Sequence, residues 1–285
     1  EKITHPKYHA DLDGVKSRAQ GVDEKYFWAQ IEIRLLEALN HYRHQHWKDA
    51  AEKAKPVMDD NNANIAQKTR AEFYFIAAGI SRKDEPERSR DEHLRLLGEI
   101  ENLLKTNQLR ESDRIEVVKV QSELLNNVGM VITHNLKQYE KALGYFHAAI
   151  KINERPEIND QKGIGIANGG LGDCHYALKD YDQAETHYTV NLNISRNNGD
   201  KQGIVRMTSM LGEIKLLNAK NDRDADTKEN LLYEAENYYN ESLMVAEDQK
   251  DQPISILCAL SGLLETIILS ESFNKCKYVF EKIDE

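Results

Sequence analysis

The sequence predicts an all-α fold built from stacked two-helix repeats, and three observations carry that expectation. The composition favours helix: aromatic content is 7%, proline occurs only five times in 285 residues, and Ala, Leu, Glu and Lys abound. Segments match one another at a shift of 40 residues, pairing Gly163 with Gly203, Ile164 with Ile204, and Leu171-Gly172 with Leu211-Gly212. Small and aromatic residues recur at spacings of four and seven, which mark one helix face.

In chain order, a lead-in of residues 1–25 precedes the first unit, about 26–67. There "HWKDAAEKAKPV" sets Ala50, Ala54 and Val57 on one face. The second unit, about 68–113, starts from "KTRAEFYFIAAG" and is degenerate. The third, about 114–162, carries Val128-Gly129 and then Ala142, Phe146 and Ala149. The fourth, about 163–202, carries Leu171-Gly172 and then Ala184 and Tyr188. The fifth, about 203–252, carries Leu211-Gly212, an insertion at "NDRDADTKEN", then Ala235 and Tyr239. The sixth, about 253–285, places Leu263 before Cys276, Phe280 and Ile283. A small residue followed by an aromatic lets two helices approach while the ring fills the space between them. Within units, short polar turns end in an aromatic: Trp47, Tyr139, Tyr181 and Phe273. Asp160 and Asp200 are expected to cap the helices that follow them.

This pattern resembles the tetratricopeptide repeat (TPR) family. The family's L-G-x2-Y and A-x3-F are matched by Leu171-Gly172-x2-His175 and Ala184-x3-Tyr188. His175 replaces the tyrosine, Asn191 takes a small-residue position, and the repeat runs to about 40 residues, roughly one turn more per helix. The resemblance implies a right-handed α-solenoid of about six repeats, with a concave and a convex face. It also implies which first-helix positions line the concave groove. In the third unit these are Glu123, Asn126, Asn127, Met130, Thr133 and His134. In the fourth they are Ile166, Gly169, Gly170, Asp173, Tyr176 and Ala177. In the fifth they are Arg206, Ser209, Met210, Glu213, Leu216 and Leu217. Asn126 and Asn127 stand out, because an amide offers both a donor and an acceptor to a peptide backbone. Gly169 and Gly170 are expected to thin the groove wall. The order of "KTRAEFYFIAAG" and "LKQYEKALGYF" is similar to the Rap-like peptide-pheromone receptors of Gram-positive bacteria. That resemblance implies a superhelix that closes around a short peptide and switches a second surface. Only about 25 residues precede the first unit, too few for the effector module such receptors carry.

Other chemistry is weaker. The stretch "GIGIANGGLG" (163–172) has the look of a phosphate-binding loop, but Asn168 fills the third glycine slot, no strand precedes it, and its glycines align with helix positions in the next unit. His41, His44 and His46 cluster in "HYRHQHW", yet no Cys or carboxylate completes a metal set in the sequence. Asp222, Asp224 and Asp226 have calcium-loop spacing, but Thr227 and Tyr233 stand where Gly and Glu are required. Cys174, Cys258 and Cys276 read as small buried hydrophobes, and the run 254–269 as a buried helix. A formal net charge of −10 opposes binding to nucleic acid or anionic membrane and favours a partner with basic or apolar anchors. The expectation is a cytoplasmic, non-enzymatic adaptor without cofactor that binds a peptide or helix of another protein. The alternatives are a peptide-responsive regulator and the interaction half of a larger enzyme or signalling protein. The last repeat shows no polar capping helix, which leaves a homo-oligomer through that end open.

Overall fold

Short polar turns and long amphipathic runs give a chain of helices joined by tight connections. The computed structural model describes residues 27–43, 46–78, 85–106, 108–249, 253–272 and 275–284. The lead-in, His44 and Phe273 lie outside them. Among the described residues the protein is all-α, with twelve α-helices. They are α1 (Phe27–Arg43), α2 (Trp47–Met58), α3 (Ile65–Ala78), α4 (Pro86–Leu104), α5 (Glu111–Met130), α6 (Tyr139–Asn153), α7 (Gln161–Ala177), α8 (Tyr181–Asn198), α9 (Lys201–Asn221), α10 (Ala225–Glu247), α11 (Pro253–Leu269) and α12 (Cys276–Asp284). No helix among them is long and apolar enough to cross a membrane. The helices form two compact units, one up to Gly163 and one from Ile164 onward.

Consecutive helices pack as antiparallel pairs. In the pair α7–α8, Gly165 lies against Ile194, Gly169 against Asn191, and Gly172 against the ring of Tyr188. Position rises on one helix as it falls on the other. The same device recurs at Gly129 with Phe146 and at Gly212 with Tyr239. Tyr239 reaches Gly262 of α11 as well. The glycine–aromatic pairs legible as a repeat are therefore the seams between helices. Phe146 and Tyr188 are fully buried, with Ala142 and Ala184 one turn before them. Burying a side chain of this size is worth about 1.5–3 kcal/mol. The stretch 163–172 lies wholly inside α7. Three of its glycines face α8, so they thin a packing seam and not the groove wall.

The turns within pairs have one construction. Lys179 and Glu271 adopt φ of 64° and 55°. The amide of Asp180 bonds the His175 carbonyl at 2.9 Å, and that of Ser272 bonds Ile267 at 3.1 Å. This is a Schellman-type helix end. In the α5–α6 pair the chain holds one extra residue between Gly129 and Tyr139, compared with Gly172 to Tyr181. The excess is taken up as a five-residue π-helical segment, Val131–Asn135, and the closing bond runs from Gln138 to Ile132. Asp160 and Asp200 cap as expected, accepting from the Gly163 and Gly203 amides at 3.0 and 3.1 Å.

Two expectations are corrected. Cys174 is buried, but Cys258 is exposed and Cys276 half-buried. The run 254–269 forms α11, which buries only the face carrying Ala259, Leu260, Leu263, Thr266 and Ile267.

Candidate functional site

The surface that the repeat pattern assigns to binding belongs to the first helix of each pair. In the C-terminal unit these are α7, α9 and α11. Asp173 on α7 forms an ion pair with Arg206 on α9. The Tyr176 hydroxyl on α7 donates to Glu213 Oε1 on α9 at 3.4 Å. Lys220 on α9 meets Glu265 on α11 at 2.8 Å. A charged ladder thus ties the three helices side by side.

Two acids of the ladder, Asp173 and Glu213, are also held from the second helix of their pair. The Tyr188 hydroxyl donates to Asp173 Oδ1 at 2.9 Å, and that of Tyr239 donates to Glu213 Oε2 at 3.2 Å. The acid directly follows the glycine on which the ring lies, so the hydroxyl reaches the next carboxylate along. In the α5–α6 pair the residue after Gly129 is Met130, and the aromatic is Phe146, which has no hydroxyl. Burial and the neighbouring acid both raise the Tyr188 and Tyr239 phenols. Burial, helped by Glu213, pushes Tyr176 up to about 12. Ser242 donates to the Val205 carbonyl at 3.2 Å, which makes Ser209 the donor in its 2.8 Å bond to Ser242.

Of the predicted residues in this unit, Asp173, Tyr176, Arg206, Ser209 and Glu213 therefore come together as one polar strip, with Ile166 exposed on the same face of α7. The sequence reading missed the part of the surface on α11. Ile254, Leu257, Cys258, Ser261, Glu265 and Ile268 are exposed and lie along one face, with Ile254 at 76% and Leu257 at 56% exposure. The signal available was that this helix is apolar all round, more than a single buried face requires.

In the N-terminal unit, Arg70 on α3 bridges Glu32 of α1 at 3.0 Å and Glu116 of α5 at 3.9 Å. Glu123 is half-buried, while Met130 and His134 are exposed. Asn126 and Asn127 are corrections: they are only 4% and 7% exposed. Asn126 donates to the Gly163 carbonyl and Asn127 to the Tyr42 hydroxyl, each at 3.3 Å. Both amides face neighbouring helices, so neither is presented to a ligand in this state. Burial, together with the Glu123 charge, pushes Tyr42 up to about 12 although the Asn127 bond opposes it.

The remaining candidates resolve as follows. Asp224 is an N-cap that accepts from the Thr227 amide at 2.9 Å and its hydroxyl at 2.7 Å, and Asp222 accepts from the Asp224 amide. The aspartate run is thus the start of α10. His41, His46 and Asp49 bring three possible metal-ligand atoms within 4.8 Å of one another.

Antiparallel helix pairs with a glycine under each aromatic define a repeat scaffold. Residues 121–197 match the family model described as tetratricopeptide repeat. The chain's fold is similar to that of BtubC (BKLC) from P. vanneervenii, at 11% identity and a TM-score of 0.57 over 88% of this chain and 89% of that one. It is also similar to the apo form of RapI, at 14% identity and a TM-score of 0.56 over 98% of this chain and 69% of that one. A Rap protein complexed with competence and sporulation factor aligns at 15% identity and a TM-score of 0.53, over 99% of this chain and 73% of that one. No curated protein matches in sequence.

Proposed function

We propose that the protein is an interaction scaffold that binds a peptide or helix of a partner protein along the face formed by α7, α9 and α11. The observation that carries this reading is the row of exposed apolar side chains, Ile166 on α7 and Ile254, Leu257 and Ile268 on α11, beside a ladder of paired charges. Apolar anchors of a partner segment would cover these side chains. Arg206, exposed at the edge of the ladder, would orient a carboxylate or carbonyl. The net charge of −10 favours a segment that also carries lysine or arginine. Asp173 and Glu213 then act mainly by holding the helices in register, since their oxygens are already bonded. Glu123, Met130 and His134 of the N-terminal unit are proposed as contacts of that unit taken by itself.

The test is selection of binders from a random peptide library displayed against the full chain. The expected binders combine aliphatic and basic residues. Their affinity falls at least about tenfold in Ile166→Asp and in Leu257→Asp, as loss of a central apolar anchor predicts, and holds in Met244→Asp on α10. Equal loss in Met244→Asp would argue against the assigned face.

A second reading, a peptide-responsive regulator, draws on the fold likeness to a Rap protein complexed with a factor. Small-angle scattering separates the two readings. A radius that changes on saturation with a selected peptide favours the regulator, and an unchanged radius favours the passive scaffold.

A further inference from the structure

The histidine cluster at the first inter-helix turn lacks a carboxylate in the sequence, because Asp49 lies beyond the turn. The fold supplies it. Arg43 ends α1 and Trp47 begins α2, and the chain reverses so that the His46 amide bonds the His41 carbonyl at 2.9 Å. His41 lies in the last turn of α1, His46 is the N-cap residue of α2, and Asp49 is in the first turn of α2. Their ligand atoms all fall within 4.8 Å of one another. The two imidazole centroids are 5.9 Å apart. His41 Nδ1 stands 3.8 Å from Asp49 Oδ2, too far for a hydrogen bond. The same nitrogen is buried with no hydrogen-bond partner among the described residues.

We propose that His41, His46 and Asp49 form a binding site for a divalent transition-metal ion of the zinc class. Two imidazoles and one carboxylate suit zinc, nickel or copper rather than the oxygen-seeking magnesium or calcium. Metal–ligand bonds of about 2.0–2.1 Å place tetrahedral donors roughly 3.3 Å apart. The 3.8 Å separation of His41 and Asp49 closes to that value by a side-chain adjustment of about half an ångström. An ion here gives the buried His41 Nδ1 the partner it lacks. The frame is already set: Tyr42 and Trp47, which flank the turn, pack edge to face at 5.5 Å, and Tyr42 packs on Phe73 of α3 at 5.8 Å. The ion would clamp the end of α1 to the start of α2. Three protein ligands leave a fourth position to water or to a donor from a partner.

The test is titration of the full chain with Zn²⁺, followed by calorimetry, and with Co²⁺, followed by visible absorption. One saturable equivalent is expected, undiminished by excess Mg²⁺, with a tetrahedral Co²⁺ spectrum. Even outer-sphere partners of metal ligands are worth about tenfold or more in affinity. His46→Ala and Asp49→Asn should therefore each weaken binding at least about tenfold. The helical circular-dichroism signal should stay unchanged, because His46 and Asp49 are exposed. His147→Ala, an exposed control on α6, should bind as the parent does. Three results would overturn the proposal: no saturable Zn²⁺ binding by the parent, unchanged affinity in both His46→Ala and Asp49→Asn, or an equal loss in His147→Ala.

Discussion

At Gly129 one methyl group decides how close α5 and α6 can lie. A Cβ there would sit 2.7 Å from the Phe146 ring, inside van der Waals contact. Alanine favours helix by about 1 kcal/mol over glycine, yet overpacking a seam costs about 1–3 kcal/mol. Gly129→Ala is therefore expected to lower stability in urea denaturation. Gly98→Ala should raise it by about 0.5–1 kcal/mol, since nothing lies within 4 Å of that position. A gain from both would contradict the seam. The glycine–aromatic pattern was legible because it repeats at a fixed offset. The acid–tyrosine bonds at Asp173–Tyr188 and Glu213–Tyr239 were not, because hydroxyl and carboxylate lie on different helices, 15 and 26 residues apart. The burial of Asn126 and Asn127 escaped for a related reason. Helical spacing places a residue on a face, but does not say whether a neighbouring helix or solvent meets that face.

Helix ends carry the next level of order. Lys179 is the left-handed residue of a Schellman end at φ 64°, a conformation that costs an L side chain about 1 kcal/mol or more. Lys179→Gly is expected to stabilise the protein by about 0.5–1 kcal/mol, read as a higher denaturation midpoint. An unchanged or lower midpoint would contradict the assignment. At the start of α10, the hydrogen bonds from the Thr227 hydroxyl and amide hold the Asp224 carboxyl below the usual carboxylate range. The cap's contribution is therefore present above about pH 4 and lost as pH falls through the lowered value. Asp224→Ala should lower the urea midpoint near neutral pH and change it much less in acid. The aspartates were legible as a loop of some kind from spacing alone. Their role as a helix start follows from where the backbone turns. The π segment was also latent in the sequence as one surplus residue between Gly129 and Tyr139, but a surplus residue can equally lengthen a loop.

The molecule as a whole rests on helices that repeat a phenol at their seams. Tyr42 and Tyr176 are pushed up to about 12, and Tyr188 and Tyr239 are raised as well. The unfolded chain releases these protons first, near pH 10. Their stabilising contribution is thus complete below about pH 10 and lost as pH rises from there through about 12. The urea midpoint should fall between about pH 10 and about pH 12, while phenolate absorbance lags behind that of free tyrosine. A constant midpoint with free-tyrosine titration would contradict this. The all-α repeat fold was legible from the shift-of-40 match and the turn aromatics. The exposed face of α11 was not, because an apolar run reads as buried until its neighbours are known. That face is central to the functional account, and hydrogen–deuterium exchange of the full chain with a library-selected peptide tests it most directly. The account predicts protection concentrated on α7, α9 and α11. Protection confined to α8, α10 and α12 would contradict it.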